Sequence, residues 1–228
     1  MDEAGITWTT NKHRNRYYKS TFENITEDRR AKIMDVAISE FAARGYNATN
    51  INVIAKKAGI SIGSMYSYFE SKEALFLTIV DEGFHLLETA INEVSAESED
   101  IFDIFEKLLI YSRNYAINYP EMNQIYLDLT TQGLSSLSAK LSKQMESITA
   151  KFYYESLKAA KQKGIVRYDL DERLASFYLD NLIIMFQFSF TSDYYKERMK
   201  IFLGTDVIED EDKIIKGLMD FVKKAVSP

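Results

Sequence analysis

The sequence predicts an all-α fold, and three observations lead to this prediction. The 228 residues include only two prolines and nine glycines, so few positions interrupt a helix. Apolar residues recur at helical spacing along several segments, and no run alternates with a period of two for long enough to indicate a sheet. Helices are expected to end at Gly45, Gly59, Pro120, Gly133, Gly164 and Gly204. The predicted helices span 27–43, 50–57, 61–67, 72–95, 99–118, 121–131, 135–163, 171–201 and 209–226.

Composition excludes several classes of function. Cysteine is absent, which rules out disulfides, thiolate redox sensing and cysteine-based metal sites. The two histidines, His13 and His85, are isolated, and no glycine-rich phosphate loop is present, so we expect no metal, no cofactor and no enzymatic activity. The longest apolar run, Leu182 to Phe186, is far too short to span a bilayer. We therefore expect a soluble, cytoplasmic protein that does not interact with a membrane.

Charge is distributed unevenly along the chain. The net charge is −6, but the first 75 residues carry 11 basic and 9 acidic side chains, and the remainder carries 17 and 25. An excess of positive charge confined to one end fits contact with DNA there. The N-terminal tract also contains several basic residues interleaved with tyrosines: Lys12, His13, Arg14, Arg16 and Lys19. This tract either follows a DNA groove or is a flexible extension that adds non-specific affinity.

The most informative segment runs from residue 45 to residue 69 and predicts two short helices around a turn. In the first helix, Ile51, Ile54, Ala55 and Ala58 lie at i, i+3, i+4 and i+7 and share one face. Thr49 or Asn50 can cap its start. Gly59 can supply the left-handed conformation that a sharp turn needs.

Ser61 then offers an N-cap for the second helix. Ile60 and Met65 can face the first helix, which leaves Ser61, Ile62, Ser64 and Ser67 towards solvent. A surface of small, mostly hydroxylated residues suits close approach to a major groove. Helix pairs of this kind also occur as inert structure.

The flanking residues favour the DNA-binding interpretation. Upstream, Ile33, Ala37 and Phe41 line one face of a preceding helix, which can cover the apolar side of the pair. Downstream, Tyr66 and Tyr68 lead towards Lys72 at the start of another helix. Tyrosine hydroxyls, the Lys72 ammonium and free N–H groups at a helix start are suitable partners for phosphates.

At these residues the chain resembles the TetR family of transcriptional regulators. The matching positions lie between Ile33 and Phe76, about a fifth of the chain: Ala37, Phe41, Arg44-Gly45-Tyr46, Ala48-Thr49, Ile54-Ala55, Ala58-Gly59-Ile60-Ser61, Gly63, Tyr66-Ser67-Tyr68-Phe69 and Lys72-Glu73-Ala74-Leu75-Phe76. Ile62 departs from the pattern, because family members often carry a lysine there, and this leaves the preferred operator open.

The resemblance implies a role in DNA binding for particular residues. Those expected to hold the DNA backbone are Thr49, Asn50, Tyr66, Tyr68 and Lys72, and those expected to approach bases are Ser61, Ile62, Gly63 and Ser64, with Ser67 beside them. Each has a structural alternative. Thr49 and Ser61 can serve only as caps, the two tyrosines as packing aromatics, and Gly63 as a glycine without a role in binding.

The resemblance also implies a larger C-terminal region that binds an effector, and we expect that effector to be mostly apolar, aromatic or acyl. Candidate lining residues on helical faces are Phe105, Tyr111, Tyr115, Tyr126, Tyr178, Asn181 and Met185, although most apolar residues here must form ordinary core. Asn181 shares its face with apolar residues, so its amide needs a partner, either on a neighbouring helix or on a ligand.

The last two predicted helices are interpreted as a homodimer interface. Residues 182–190 are apolar almost all round, and the final helix adds an apolar stripe, so the pair can form a four-helix bundle with its copy. Alternatively, both helices complete a monomeric core. The predicted organisation is an extension at 1–24, a helix-turn-helix domain at 25–72 and an effector-binding and dimerisation domain at 73–228.

The function that these features favour is a ligand-responsive repressor that binds a palindromic DNA operator as a dimer. The alternative is a small-molecule-binding helical protein whose helix-turn-helix contacts another protein.

Overall fold

A computed structural model describes residues 16–131, 135–204 and 210–228. Within these ranges the chain is helical without strands, so the predicted fold class is confirmed. The helices are α1 (Ser20–Glu23), α2 (Glu27–Ala48), α3 (Ile51–Ala58), α4 (Ile62–Tyr68), α5 (Lys72–Glu97), α6 (Ile101–Asn118), α7 (Pro120–Thr131), α8 (Ser135–Gln162), α9 (Glu172–Phe188), α10 (Asp193–Leu203) and α11 (Glu211–Val226). None of the helices in the described part of the chain is long and apolar enough to cross a membrane.

The chain divides into two compact units, Met1–Leu86 and Leu87–Pro228. The division lies inside α5 and not at residue 72, because the first turns of α5 supply core to the first unit. Leu75, Phe76 and Ile79 are at most 2% exposed, and the Phe76 ring packs edge-on against Phe41 of α2. Because α5 begins in the core of the first unit and continues beyond it, no linker marks the boundary in the sequence.

The first unit begins earlier than predicted. Phe22 of α1 is 3% exposed, and its ring centroid lies 4.7 Å from that of Phe69. Residues 19–22 are thus packed against the end of α4 and are not part of a free extension. The predicted basic residues Lys12, His13 and Arg14 lie outside the described residues.

The second unit is built around a core shared by the second half of α5 with α6, α8, α9 and α11. Phe105, Leu109 and Leu157 are fully buried in it, together with Leu179 and Met219. Helix α8 packs along α9, α6 packs against both, and α11 lies against α6. Helix α7 also contacts α6.

The prediction of one helix over 171–201 is wrong, because the chain turns between α9 and α10. Ser189 ends α9 and donates a hydrogen bond from its hydroxyl to the carbonyl of Met185 at 2.8 Å. The Thr191 hydroxyl donates to the carbonyl of Ala116 in α6 at 3.2 Å and accepts from Asn123 of α7 at 2.8 Å. Short hydroxyl side chains compete with helical hydrogen bonds, and here tertiary partners stabilise the turn.

We expect opposite effects on stability from two glycine substitutions in the helix-turn-helix. Gly59 has φ 74°, so Gly59→Ala is strained although its Cβ meets only the Lys32 side chain at 3.7 Å. It should lower the free energy of unfolding by about 1 kcal/mol. Gly63→Ala, at ordinary helical φ, should raise it by about 0.5 kcal/mol. Urea titration measures both variants, and a shift of the same sign for the two would contradict this account.

Candidate nucleic-acid interface and effector region

Each helix of the α3–α4 pair begins with a side-chain cap. The Asn50 carboxamide oxygen accepts from the backbone N–H of Asn52 at 2.9 Å, and the Ser61 hydroxyl accepts from that of Ser64 at 3.0 Å. Between the helices, Gly59 is left-handed and its N–H bonds back to α3. The predicted caps, turn and apolar face of α3 are confirmed, with Ile54 fully buried.

One side of α4 is anchored and the other faces solvent. Met65 is fully buried, whereas Ile62 is 39% and Tyr66 45% exposed. The other solvent-facing positions are small: Ser61, Gly63 and Ser67, with Ser64 half-buried. The resulting face consists mostly of small, hydroxylated residues, and one branched apolar side chain and one phenol project from it.

The hydroxyls on this face are already engaged along the helix. Ser61 Oγ and Ser64 Oγ are 2.9 Å apart, and Ser67 Oγ donates to the Ser64 carbonyl at 2.7 Å. A hydroxyl that donates locally keeps lone pairs for an incoming donor. The face therefore presents hydrogen-bond acceptors without bulk, which suits approach to the exposed amino groups of bases.

Two of the residues predicted to hold the DNA backbone are buried. Thr49 is 4% exposed, and its hydroxyl lies 2.7 Å from the Gly45 carbonyl and 3.1 Å from the Glu40 carbonyl, to which it can donate. Tyr68 is 7% exposed, and its ring lies 5.8 Å from that of Phe22. The structure places both side chains behind the exposed face, where they support it.

Lys72 turns its ammonium towards the end of α2. Its Nζ donates to the carbonyls of Tyr46, Asn47 and Thr49 at 2.8, 3.2 and 3.1 Å, and lies 4.6 Å from the centre of the Tyr46 ring. An ammonium has three donors, and three carbonyls occupy them. Lys72 thus satisfies carbonyls that the end of α2 leaves open and fixes the approach to α3.

The C-terminal end of α4 is held by residues that the sequence analysis assigned to the extension. The backbone N–H of Lys19 donates to the Tyr68 carbonyl at 2.8 Å, and its Nζ donates to that of Tyr66 at 2.9 Å. The Thr21 hydroxyl donates to the carbonyl of Ser67. The sequence signal for this contact was Phe22, an isolated apolar residue between polar neighbours, which packs beside α4.

A buried carboxylate ties α2 to α3. Glu40 is 4% exposed; Lys57 of α3 bonds one of its oxygens, and Arg44 lies 3.2 Å from the other. The hydrogen bond from Lys57 holds the pKa of Glu40 below its usual range, although burial acts in the opposite direction. Part of the positive charge on α3 is therefore neutralised by the Glu40 carboxylate.

In the second unit, the candidates on α6 and α7 point inwards. Phe105 is fully buried in the core, and Tyr111 is half-buried. The Tyr115 ring packs against Tyr119 at 5.5 Å, and the half-buried ring of Tyr126 packs against Phe188 of α9 at 5.4 Å. Tyr126 of α7 thus contacts α9.

The candidates on α9 lie on its outer face. Tyr178 is 59% and Met185 41% exposed, and the neighbouring Leu174 and Phe177 are 52% and 63% exposed. The Asn181 amide donates to the carbonyl of Phe177 on its own helix at 2.7 Å. These residues do not line the interior of the described protomer. Helical spacing predicts which residues share a face, but it does not predict which other element covers that face.

Another α9 residue, which the sequence analysis did not select, faces the other helices. Asp180 is half-buried; burial and the nearby Glu146 raise the pKa of its carboxyl to about 6, against a hydrogen bond from Thr149. Burial and the charge of Asp180 also raise the pKa of the fully buried Tyr153. The signal was an acidic residue in the middle of a mostly apolar helix.

We expect Lys72→Met to destabilise the first unit by about 1–3 kcal/mol, because the α2 carbonyls lose three donors while the aliphatic stem remains. The matched control is Lys56→Met on the exposed side of α3, which should change stability by less than about 0.5 kcal/mol. Chemical denaturation of both variants measures the difference. Equal stability of the two variants would show that the three hydrogen bonds contribute nothing net.

The chain matches known proteins in this region and beyond it. Residues 33–79 match the family described as bacterial regulatory proteins, tetR family. A negative transcriptional regulator of the biofilm operon icaADBC in Staphylococcus aureus, IcaR, is 33% identical over 141 residues, 55% of this chain and 69% of that protein. An uncharacterized regulator of Bacillus subtilis, YuxN, is 24% identical over 67% of this chain, and the match spans only about half (54%) of YuxN.

Solved structures extend the likeness to the second unit. A TetR-family regulator from Chloroflexus aurantiacus superimposes with a TM-score of 0.71 over 92% of this chain and 99% of that chain, at 22% identity. At that identity the likeness concerns the fold, with an N-terminal helix-turn-helix followed by a larger helical region. The helix-turn-helix and the identity to IcaR together show that this chain belongs to the TetR family of transcriptional regulators, which bind DNA.

Proposed function

We propose that this regulator is a repressor that binds a palindromic operator as a homodimer and leaves it when a small molecule binds the second unit. The observation that carries the proposal is the exposed face of α4, which combines small hydroxylated residues with a firmly anchored back. IcaR, a relative of this chain, is named as a negative regulator, which supports repression.

In this proposal the residues of the helix-turn-helix have two different roles. The exposed side chains of Asn50 and Tyr66 reach phosphates, and the face formed by Ser61, Ile62, Gly63, Ser64 and Ser67 approaches bases. Thr49, Tyr68 and Lys72 act from behind, because their polar groups or rings are engaged within the protein. The charge of Lys72 still adds to the local positive potential even though its donors are occupied.

The dimer is supported by an apolar surface that the described protomer leaves uncovered. Leu174, Phe177, Tyr178 and Met185 project from α9, and Phe221 of α11 is 63% exposed. Exposed apolar patches of this kind mark interaction sites. A two-fold bundle of α9, α11 and their copies would cover them and hold two α4 helices for successive major grooves.

The effector in this proposal occupies the interior of the second unit near Tyr126 and Tyr115, with Tyr111 and Phe105 behind them. Its binding shifts the population towards dimers whose α4 helices are wrongly spaced for the operator. We propose no enzymatic activity for the chain. In the described ranges no group of three His, Cys, Asp or Glu residues is arranged to hold a metal ion, and His13 lies outside them.

Selection of bound sequences from a random duplex pool at two salt concentrations tests the proposal. An enriched inverted repeat that persists at the higher salt is the expected result. Binding without enrichment that disappears as salt rises would reduce the DNA contact to electrostatics and favour a helix-turn-helix that contacts another protein.

We expect Ile62→Glu to weaken operator binding by about a hundredfold, because it places a carboxylate on the face that meets DNA. The helix should persist, since an acidic residue in the first turn of α4 favours its dipole. The matched control is Ile117→Glu on α6, whose side chain is also exposed (51%) and which should bind as the wild type. Fluorescence anisotropy with the selected operator gives both affinities, and an unchanged Ile62→Glu affinity would remove α4 from the interface.

Phe177→Glu should convert the dimer to a monomer at micromolar concentration, because each two-fold contact would bury an unpaired carboxylate on both copies. Tyr168→Glu is the control, since Tyr168 is 88% exposed outside the apolar face. Light scattering after size-exclusion chromatography reports the mass. A Phe177→Glu dimer would place the interface elsewhere.

A further inference from the structure

The side chains of α4 exclude the most direct ways of recognising purines. Arginine and lysine recognise guanine, and asparagine and glutamine recognise adenine, through paired hydrogen bonds to the major-groove edge of the base. None of these residue types occurs in Ile62–Tyr68. The serine hydroxyls on the exposed face are engaged with one another or with a carbonyl of the helix. Direct recognition of bases by α4 therefore depends on hydroxyl oxygens and on apolar contact.

The aliphatic side chain that α4 exposes is that of Ile62. Ile62 is the first residue of the helix, and its side chain faces solvent, whereas Met65 is fully buried. Helical spacing places Ile62 one turn before the exposed Tyr66 and on the same side of the helix. Residues four positions apart in a helix have Cβ atoms about 6 Å apart. Ile62 thus lies beside the phenol that the proposed function places on a phosphate.

The neighbouring Gly63 leaves the backbone open beside Ile62. Apart from its own helix backbone, the nearest atom to a Cβ at this position would be Ser61 Oγ, at an ordinary contact distance of 3.7 Å. Gly63 also lacks the positive φ that favours glycine. Packing within the protein therefore gives no reason for a residue that disfavours a helix. The missing side chain lets an external surface approach the backbone closely, and Ile62 projects towards that surface.

The major groove offers a particular partner to an exposed aliphatic side chain. Its apolar group is the C5-methyl of thymine, and apolar side chains recognise thymine by contacting it. This methyl projects into the groove beside the sugar–phosphate backbone of its own strand, so a side chain one turn from a phosphate contact can reach it. The edges of guanine and cytosine would present polar groups to Ile62, and these would lose water without gaining a hydrogen bond.

We propose that Ile62 is a specificity-determining residue, whose side chain contacts the C5-methyl group of a thymine in each half-site of the operator. The inference deepens the proposed function and rests on it, since it assigns one base contact to the face that α4 presents to DNA. The contact depends on the methyl group and not on the base pair that carries it, so 5-methylcytosine should satisfy it as well.

Operators in which deoxyuridine replaces thymine test the assignment, because this change removes the methyl group and keeps the base pair. Each thymine of the selected operator is replaced in turn, in both half-sites together, and fluorescence anisotropy gives the affinity of the full-length protein. One replacement should weaken wild-type binding by about tenfold, as expected for the loss of a buried methyl contact in each half-site. An operator in which no thymine methyl affects binding would overturn the proposal.

Variants assign the methyl contact to Ile62. Ile62→Ala should bind the thymine and deoxyuridine operators equally, whereas Ile62→Val, which keeps a branched side chain, should still prefer thymine. Tyr66→Phe is the matched control, because loss of a phosphate contact should weaken binding to both operators by the same factor and keep their ratio. A preference for thymine that survives in Ile62→Ala would overturn the proposal, since another side chain or the shape of the DNA would then cause it.

Methylated cytosine provides the converse test. When C·G replaces T·A at the methyl-sensitive position of both half-sites, 5-methylation of the cytosines should strengthen wild-type binding by about tenfold and leave Ile62→Ala unchanged. The ratio of thymine to deoxyuridine affinities should also stay constant between two salt concentrations, although both affinities fall, because no charge takes part in the contact. Absence of a gain from methylation, or a ratio that falls towards one as salt rises, would contradict the proposal.

The outcomes separate this inference from the function on which it rests. An enriched operator whose thymine methyls make no difference to binding would refute only the role of Ile62. Absence of any enriched sequence in the random pool would refute the proposed repressor, and the inference with it.

Discussion

The seven-residue helix α4 depends on hydrogen bonds that other segments supply to its two ends. A helix of this length is unstable alone, because nucleation is costly and most of its backbone groups lie within an end. Ser61 accepts from its first turn, and Lys19 and Thr21 donate to three successive carbonyls of its last turn. With both ends satisfied and Met65 buried, the helix is held without any contribution from its outer face, which the proposed function assigns to DNA.

A second set of hydrogen bonds orients the helix pair within the first unit. Lys72 donates hydrogen bonds to the carbonyls at the end of α2, and Glu40 within α2 binds Lys57 of α3. Both interactions use a charged group to hold backbone or a neighbouring helix. Residues that look suited to phosphate contact by type thus fix the geometry of residues that face outwards.

In the second unit, α9 likewise has one buried face and one exposed face. Its outer face is apolar and exposed in the described protomer, while Asp180 lies on the opposite flank towards α8. The proposed function assigns the outer face of α9 to the dimer interface. In the proposed function, an effector bound beside Tyr126 lies against Phe188 of α9, the helix that carries the proposed dimer surface.

The sequence by itself determined the local features: the helices, the Gly59 turn, the Asn50 and Ser61 caps, and the exposed residues of α4. These follow from backbone sterics and from hydrogen bonds between residues a few positions apart, so they can be predicted from a single sequence. Only the tertiary structure decided that Lys72, Thr49 and Tyr68 turn inwards, that Phe22 joins the first core, and that Tyr178 and Met185 lie outside while Asp180 lies inside. Those outcomes depend on which elements cover a given face, and helical spacing fixes the members of a face without fixing what covers it.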